Sequence, residues 1–166
     1  MTVRPAAPAD AEALGALHVH TWQAAYRGQI PQAHLDALDP AERAREWHNR
    51  LSNLPPAAAV CVVDDEAGGL AGFVSTLAHP DPATGQITAI YVRPGAWGRG
   101  IGRALMAAGL DHLRAAGCTE AVLWVLATNE RARRFYEAAG WHPDGATQTE
   151  DFDGVPLREL RYRRPL

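Results

Sequence analysis

The sequence predicts a mixed α/β layer fold with a largely antiparallel sheet and one β-α-β-like crossover. Three observations lead there. Two Val-rich runs, Ala57–Asp65 and Leu70–Ala78, flank the turn-forming "EAGG", which reads as a hairpin. A run with helical spacing, from about Gly100 to Ala116, separates the strand-like "QITAIYV" (Gln86–Val92) from "EAVLWVL" (Glu120–Leu126). That last run is apolar almost throughout, as expected of a strand covered on both faces. With 166 residues, 47% of them hydrophobic, and no long linker, the chain reads as one domain, 1–166.

The elements follow in order. "TVRPA" is a short extended start. A helix then opens at "PAD", carries Leu14, Leu17 and Trp22 at roughly helical spacing, and stops at Gly28. Pro31–Leu38 reads as a short helical piece. Pro40 opens "PAERAREWHNRLS", whose Arg/Glu mixture with the lone Trp47 suggests a mostly solvated helix. The hairpin and "QITAIYV" come next, with "HPDPATG" as a turn between them and Arg93-Pro94-Gly95 as the stop. In the following helix Ile101, Leu105 and Ala108 share a face, and Gly117 closes it. After Glu120–Leu126, Asn129 can cap "ERARRFYEAAG", with Ala132, Phe135 and Ala139 as its inner stripe. An Asp/Gly-rich region follows Trp141. "VPLRELRYRRPL" reads as a final strand with alternation at Leu157, Leu160 and Tyr162.

Bulk properties exclude some functions. The net charge of −3 lacks the basic excess of a nucleic-acid binder. No stretch reaches membrane-span length, and "MTVRPAAPAD" has no secretory h-region. Cys61 and Cys118 lie in apolar contexts, as buried, reduced thiols do. A cytoplasmic chain with no nucleic-acid or membrane partner is expected. No Cys/His cluster has zinc spacing. His18 and His20 are two apart and cannot share a helix face, and His112 falls on the Ile101/Leu105 face as a core-edge residue, so no metal site is expected.

The stretch "WGRGIGRAL", Trp97–Leu105, carries the chemistry. It is not a P-loop: Gly95 and Gly100 have the spacing, but Ile101 and Gly102 follow where Lys and Ser/Thr are needed. It is not a dinucleotide fingerprint either, since Arg103 or Leu105 stands where the third glycine belongs. The setting still favours an anion. A strand ends, glycines turn the chain, and a helix begins whose first amides lack internal partners and carry about half a positive charge. Glycines let those amides approach phosphate closely, and Arg99 and Arg103 add charge. A plain strand-to-helix turn would need fewer glycines and no arginines.

"IYVRPGAWGRGIGRALM" resembles motif A of the GNAT superfamily of acyl-CoA-dependent N-acyltransferases, Gly100 and Gly102 matching its glycines and Trp97 standing where Gln or Arg is usual. "LWVLATNERARRFYEAAGW" resembles motif B, with Asn129, Ala132, Phe135-Tyr136-Glu137 and Gly140-Trp141 in order. "HTWQAAYRGQIP" resembles the family's first-helix region. The resemblance spans essentially the whole chain. It implies an α/β (α+β) mixed sheet of about six or seven strands with about four helices. The central parallel strands, here Gln86–Val92 and Glu120–Leu126, would splay apart around the pantetheine arm of acetyl-CoA. Backbone groups of Ile90, Tyr91 and Val92 would bind the arm. Trp97, Gly98, Arg99, Gly100, Ile101, Gly102 and Arg103 would hold the pyrophosphate, and Asn129, Arg131, Phe135 and Tyr136 would touch the cofactor from the other side.

Acyl transfer needs a neutral amine, and a free alkylammonium has a pKa of ~10.4. It also needs a donor for the developing oxyanion, for which Val92 N–H is the candidate. Tyr136 matches the family's general acid, against the alternative of a core aromatic beside Phe135. Many relatives carry a glutamate base on the strand that here reads "QITAIYV", which has none. His79, Asp81, Glu150 and Asp151 are the candidates, each against the reading of a solvated loop residue. Trp22 and Tyr26, four apart on the first helix, are either core packing or a wall of the acceptor pocket, with Tyr26 the more exposed. The expected function is acetyl transfer from acetyl-CoA to a primary amine of a small molecule or peptide. The alternatives are a non-catalytic acyl-CoA-binding module or an acyltransferase using a longer acyl-CoA. A homodimer is expected from the resemblance.

Overall fold

The computed structural model describes residues 1–66, 68–79 and 83–166. Seven strands form one sheet in the order β1-β2-β3-β4-β5-β7-β6. They are β1 Val3–Pro5, β2 Ala58–Asp64, β3 Leu70–Ala78, β4 Thr84–Val92, β5 Glu120–Leu126, β6 His142–Phe152 and β7 Val155–Pro165. The helices are α1 Ala11–Ala25, α2 Gln32–Ala37, α3 Pro40–Ser52, α4 Ile101–Ala115 and α5 Glu130–Ala138. All pairings are antiparallel except β4 with β5, which α4 links as the crossover. That is the layer fold expected, with five α-helices where about four were expected.

The extra strand is β6. Its sequence shows no alternation because ten of its eleven residues lie outside the core, only Phe152 being buried. An edge strand exposed on both faces has no period-2 signature to read. The other correction concerns β7. Leu157, Leu160 and Tyr162 do not share a face. Leu160 and Tyr162 pack into the main core, while Leu157 joins a small cluster on the opposite side.

Two cores sandwich the sheet. On one face α4 and α5 cover Val74, Ile87, Leu123 and Tyr162. A Cβ added at Gly109 would lie 3.1 Å from both Ile87 and Val74, so α4 rests directly on β3 and β4. On the other face α1 and α3 cover Val60, Val62 and Phe73 with Leu14, Leu17 and Trp47. Trp47 is buried on an otherwise largely exposed α3, as its sequence predicts. A third cluster of Ile30, Leu35, Leu126 and Phe152 ties the α1–α2 segment to the β6–β7 hairpin. Cys61 is partly buried and Cys118 buried, and both are free. No helix among the described residues is long and apolar enough to cross a membrane.

The feature that makes a site is the parting of β4 and β5. They pair only over Thr84–Gln86 and Glu120–Val122, then diverge. On its other edge β4 stays bonded to β3, with a register shift at Ser75/Thr76 that leaves Thr88 unpaired as a bulge.

Candidate active site

A cavity of about 580 Å³ fills the gap between the diverging strands and continues under α1. Its two ends differ in chemistry.

At one end β4 runs into the glycine turn and α4. Gly98 and Gly100 adopt φ of +79° and +81°, which only glycine tolerates without strain, and a Cβ at either would meet nothing within 4 Å. The space the first amides of α4 face is therefore open backbone. Gly98, Gly100, Ile101, Gly102 and Arg103 line the cavity. Arg99 does not; its side chain is exposed outside it. The Arg93 N–H donates to Ala71 O at 2.9 Å, making that a hydrogen-bonded pair of the β3–β4 ladder. By alternation Tyr91 is also bonded to β3, whereas Ile90 and Val92 turn their amide groups toward the gap. Tyr91 thus contributes its side chain, not its main chain, to the cavity.

Trp97 behaves differently from a Gln or Arg. Its indole N–H donates to the Val92 carbonyl at 2.7 Å, and the Arg131 guanidinium lies 3.2 Å from the centre of its ring. The pair spans from the end of β4 to the start of α5. Asn129 caps α5, its side-chain oxygen accepting from Ala132 N–H at 3.2 Å. Asn129, Arg131 and Phe135 all line the same end. Open amides, outward Val92 N–H and unblocked arginines fit an anionic cofactor with an extended arm.

Tyr136 sits at the seam. It is 9% exposed, packed edge-on to Phe135 and Trp141, and its pKa is pushed up by burial and then by the neighbouring Tyr91. It both packs in the core and lines the cavity.

The other end lies under α1. Trp22 and Tyr26 both line it, in edge-to-face contact with centroids 5.1 Å apart. Tyr26 and Trp22 are both partly buried. The Tyr26 and Tyr91 hydroxyls are hydrogen-bonded at 3.3 Å, and burial raises both pKa values. The Trp22 indole N–H lies beside the Tyr91 hydroxyl without a hydrogen bond of regular geometry. Behind this wall His18 packs on Trp22, Trp47, Phe73 and Tyr91 and accepts at Nδ1 from the Trp47 N–H at 3.3 Å. Burial, then Arg43 and Arg50, lower its pKa to about 4.

Of the three candidate bases among the described residues, only Glu150 lines the cavity. Its pKa is raised by burial and by the charge of Glu159. His79 binds Gln86 at 3.2 Å and Asp151 accepts from Gly154 N–H at 2.8 Å, and neither lines the cavity. Asp81 lies outside the described residues. Glu159, Gln148, Thr88, Trp124 and Phe152 complete this end, and none was singled out from sequence. Sheet register brings them together: Glu159 stands opposite Leu126 on one side and Gln148 on the other. Among the described residues no group of His, Cys, Asp and Glu could hold a metal ion.

Residues 17–141 match the profile of the Acetyltransferase (GNAT) family, which covers more than half of the chain. The chain belongs to the GNAT acetyltransferase family. Among its relatives within this family, a mycothiol acetyltransferase of Kocuria rhizophila is 34% identical over 77% of this chain and 43% of its own length. A mycothiol acetyltransferase of Beutenbergia cavernae is 46% identical over 53% of this chain and 29% of its own. The chain thus spans less than half of these relatives. An uncharacterized N-acetyltransferase of Bacillus subtilis, YuaI, is 29% identical over 96% of this chain and 90% of its own. The GNAT fold is shared with the PaiA N-acetyltransferase of Thermoplasma acidophilum solved with coenzyme A, at TM-score 0.74 and 18% identity over 99% of this chain and 98% of that one.

Proposed function

We propose that this GNAT protein transfers the acetyl group of acetyl-CoA to a primary amine held at the glutamate end of the cavity. The observation that carries this is one cavity whose lining includes the open α4 amide segment, Tyr136 and Glu150. Acetyl-CoA would supply an activated thioester, its pyrophosphate against Gly98–Arg103 and its arm along Ile90 and Val92.

The chain's own groups divide the work. An alkylammonium with a pKa of ~10.4 must lose its proton before it attacks. Glu150, whose pKa is raised by partial burial and then by the charge of Glu159, is a stronger base than an isolated glutamate and takes that role in place of a β4 carboxylate. Val92 N–H, unpaired in the ladder, faces the gap where charge grows on the carbonyl oxygen. Tyr136 gives its proton to the departing thiolate. Its raised pKa keeps the hydroxyl protonated until then. A carboxylate on β6 offers the base whose absence from β4 supports the alternative of a non-catalytic module.

The test is thiol release from acetyl-CoA with a panel of amines. All 16 cationic side chains are arginine, so no lysine of the protein competes as acceptor. Amine-dependent release is expected, with kcat/KM rising with pH through a Glu150 ionisation shifted upward from the ordinary glutamate value. Glu150→Gln removes that rise. Coenzyme A binding with no amine-dependent release would overturn the enzymatic reading.

A further inference from the structure

The acceptor end carries two carboxylates where proton removal needs one. Glu150 and Glu159 both line the cavity, from neighbouring strands β6 and β7. Among the described residues neither has an arginine or histidine partner, although arginines pair with Asp10, Asp64, Asp65, Glu120 and Asp144 elsewhere. The nearest cation on that face of β7, Arg161, is bound to Asp144 at 2.7 Å and leans over Trp124 at 5.8 Å. Among the described residues the lining of this end therefore has no basic side chain to neutralise an acceptor's carboxylate or phosphate.

The two glutamates are not equivalent. The Gln148 amide donates to Glu159 at 2.6 Å, fixing its orientation, while no side chain holds Glu150. Around them stand the faces of Trp22, Tyr26, Trp124 and Phe152, suited to methylenes and to a cation. The site is a ligand cavity and not a patch of surface charge. The Thr21 hydroxyl, beside Trp22 in the same lining and on a side chain more than nine-tenths buried, has no hydrogen-bond partner among the described residues.

We propose that the acceptor is an aliphatic di- or polyamine, in which one amine is acetylated near Glu150 while a second ammonium is held by Glu159. This rests on the acetyltransferase reading of the same cavity. Glu159 is then the specificity-determining residue. Two unpaired carboxylates at one end of a cavity repel each other, and a dication relieves that repulsion where a monoamine leaves one charge uncompensated. A charge-assisted hydrogen bond to the second ammonium corresponds to about a tenfold preference or more.

The discriminating pair is 1,4-diaminobutane and butan-1-amine, which share a four-carbon chain and differ by the second terminal ammonium. Their kcat/KM by thiol release and their affinities by calorimetric titration are measured for the wild-type chain, Glu159→Gln and Glu159→Asp. The expected result is a preference for the diamine of about tenfold or more. Glu159→Gln should shrink it, mainly by raising the KM for the diamine, and Glu159→Asp should retain part of it. Equal kcat/KM and affinity for the two amines, or an equal loss for both in Glu159→Gln, overturns the proposal. Selective diamine binding without thiol release supports it and overturns the catalytic reading instead. Turnover of both amines at the same rate does the reverse.

Discussion

The two ends of the cavity are opposite in charge and in construction. The cofactor end is built mainly from one continuous segment, Val92–Arg103, in which a strand stops, two glycines take left-handed conformations and a helix starts, with the beginning of α5 beside it. Its function follows from backbone geometry, with Arg103 and Arg131 adding charge. The acceptor end is assembled from α1, β4, β5, β6 and β7, and its function follows from side chains such as Glu150, Glu159, Trp22 and Trp124. A backbone site tolerates substitutions that keep its turns. A side-chain site changes specificity with one residue. The proposed function therefore divides the cavity into a fixed donor half and an adjustable acceptor half, with Tyr136 assigned to both.

The largest effect is expected at the seam. Tyr136→Phe keeps the ring that packs on Phe135, Trp141 and Tyr162 and removes only the hydroxyl. Loss of a general acid costs about 10²-fold or more in kcat. Neither the KM for acetyl-CoA nor that for the amine should move comparably, since the hydroxyl belongs to neither half alone. Steady-state kinetics with both substrates varied checks this. A fall confined to one KM would assign Tyr136 to that half and remove the division of labour.

Acid should separate the halves next. His18 supports the acceptor wall from behind, through Trp22 and Tyr91. Its folded pKa of about 4 lies below the unfolded value of 6.5. The stability it contributes is present above pH ~6.5 and is lost as pH falls toward the folded value, because protonation then favours the unfolded chain. By pH ~5 the loss is about 2 kcal/mol. Urea unfolding from neutral pH to that point should show it, and His18→Gln should lose less stability over the same range. Hydrogen exchange should rise first in α1 and α3. Uniform loosening of α4 and α1 would show that the two halves melt together.

What the sequence revealed divides along the same line. The donor half was legible because its signal is local: Gly98, Gly100 and Gly102 alternate within a few residues of a strand end. Trp22 and Tyr26 were visible as a shared helix face, but whether that face met a core or a cavity depended on Phe152, far away in the chain. Glu159 gave no signal. It sits in a strand whose apolar residues are divided between two faces, and it becomes a site residue only through pairing with Leu126 and Gln148. β6 was invisible for a related reason, since a strand with no buried face has no pattern.

Gly100→Ala tests whether the donor half is as local as it looks. A Cβ there meets nothing, so the only cost is the left-handed φ of +81°, about 1–2 kcal/mol. If the loop must hold that conformation to bind, acetyl-CoA affinity falls by roughly the matching factor, about tenfold, as the competent population shrinks. The amine KM should stay unchanged. A parallel rise in both would mean that the loop also shapes the acceptor end.

The smallest effect is expected at Trp97, although it is the most conspicuous side chain of the loop. It is 36% exposed, and its two contacts are the Val92 carbonyl and the Arg131 guanidinium. Both are made within the protein. An exposed cation–π contact contributes about 0.5–1 kcal/mol, and it orders Arg131 rather than gripping phosphate. Trp97→Gln should therefore lower acetyl-CoA affinity by no more than about fivefold. Trp97→Phe keeps the ring under Arg131 and loses only the bond to Val92, so it should sit closer to wild type. A larger loss in Trp97→Phe than in Trp97→Gln would identify the indole N–H, and through it the aim of the Val92 carbonyl, as part of the cofactor grip. The donor half would then depend on a side chain, as the acceptor half does.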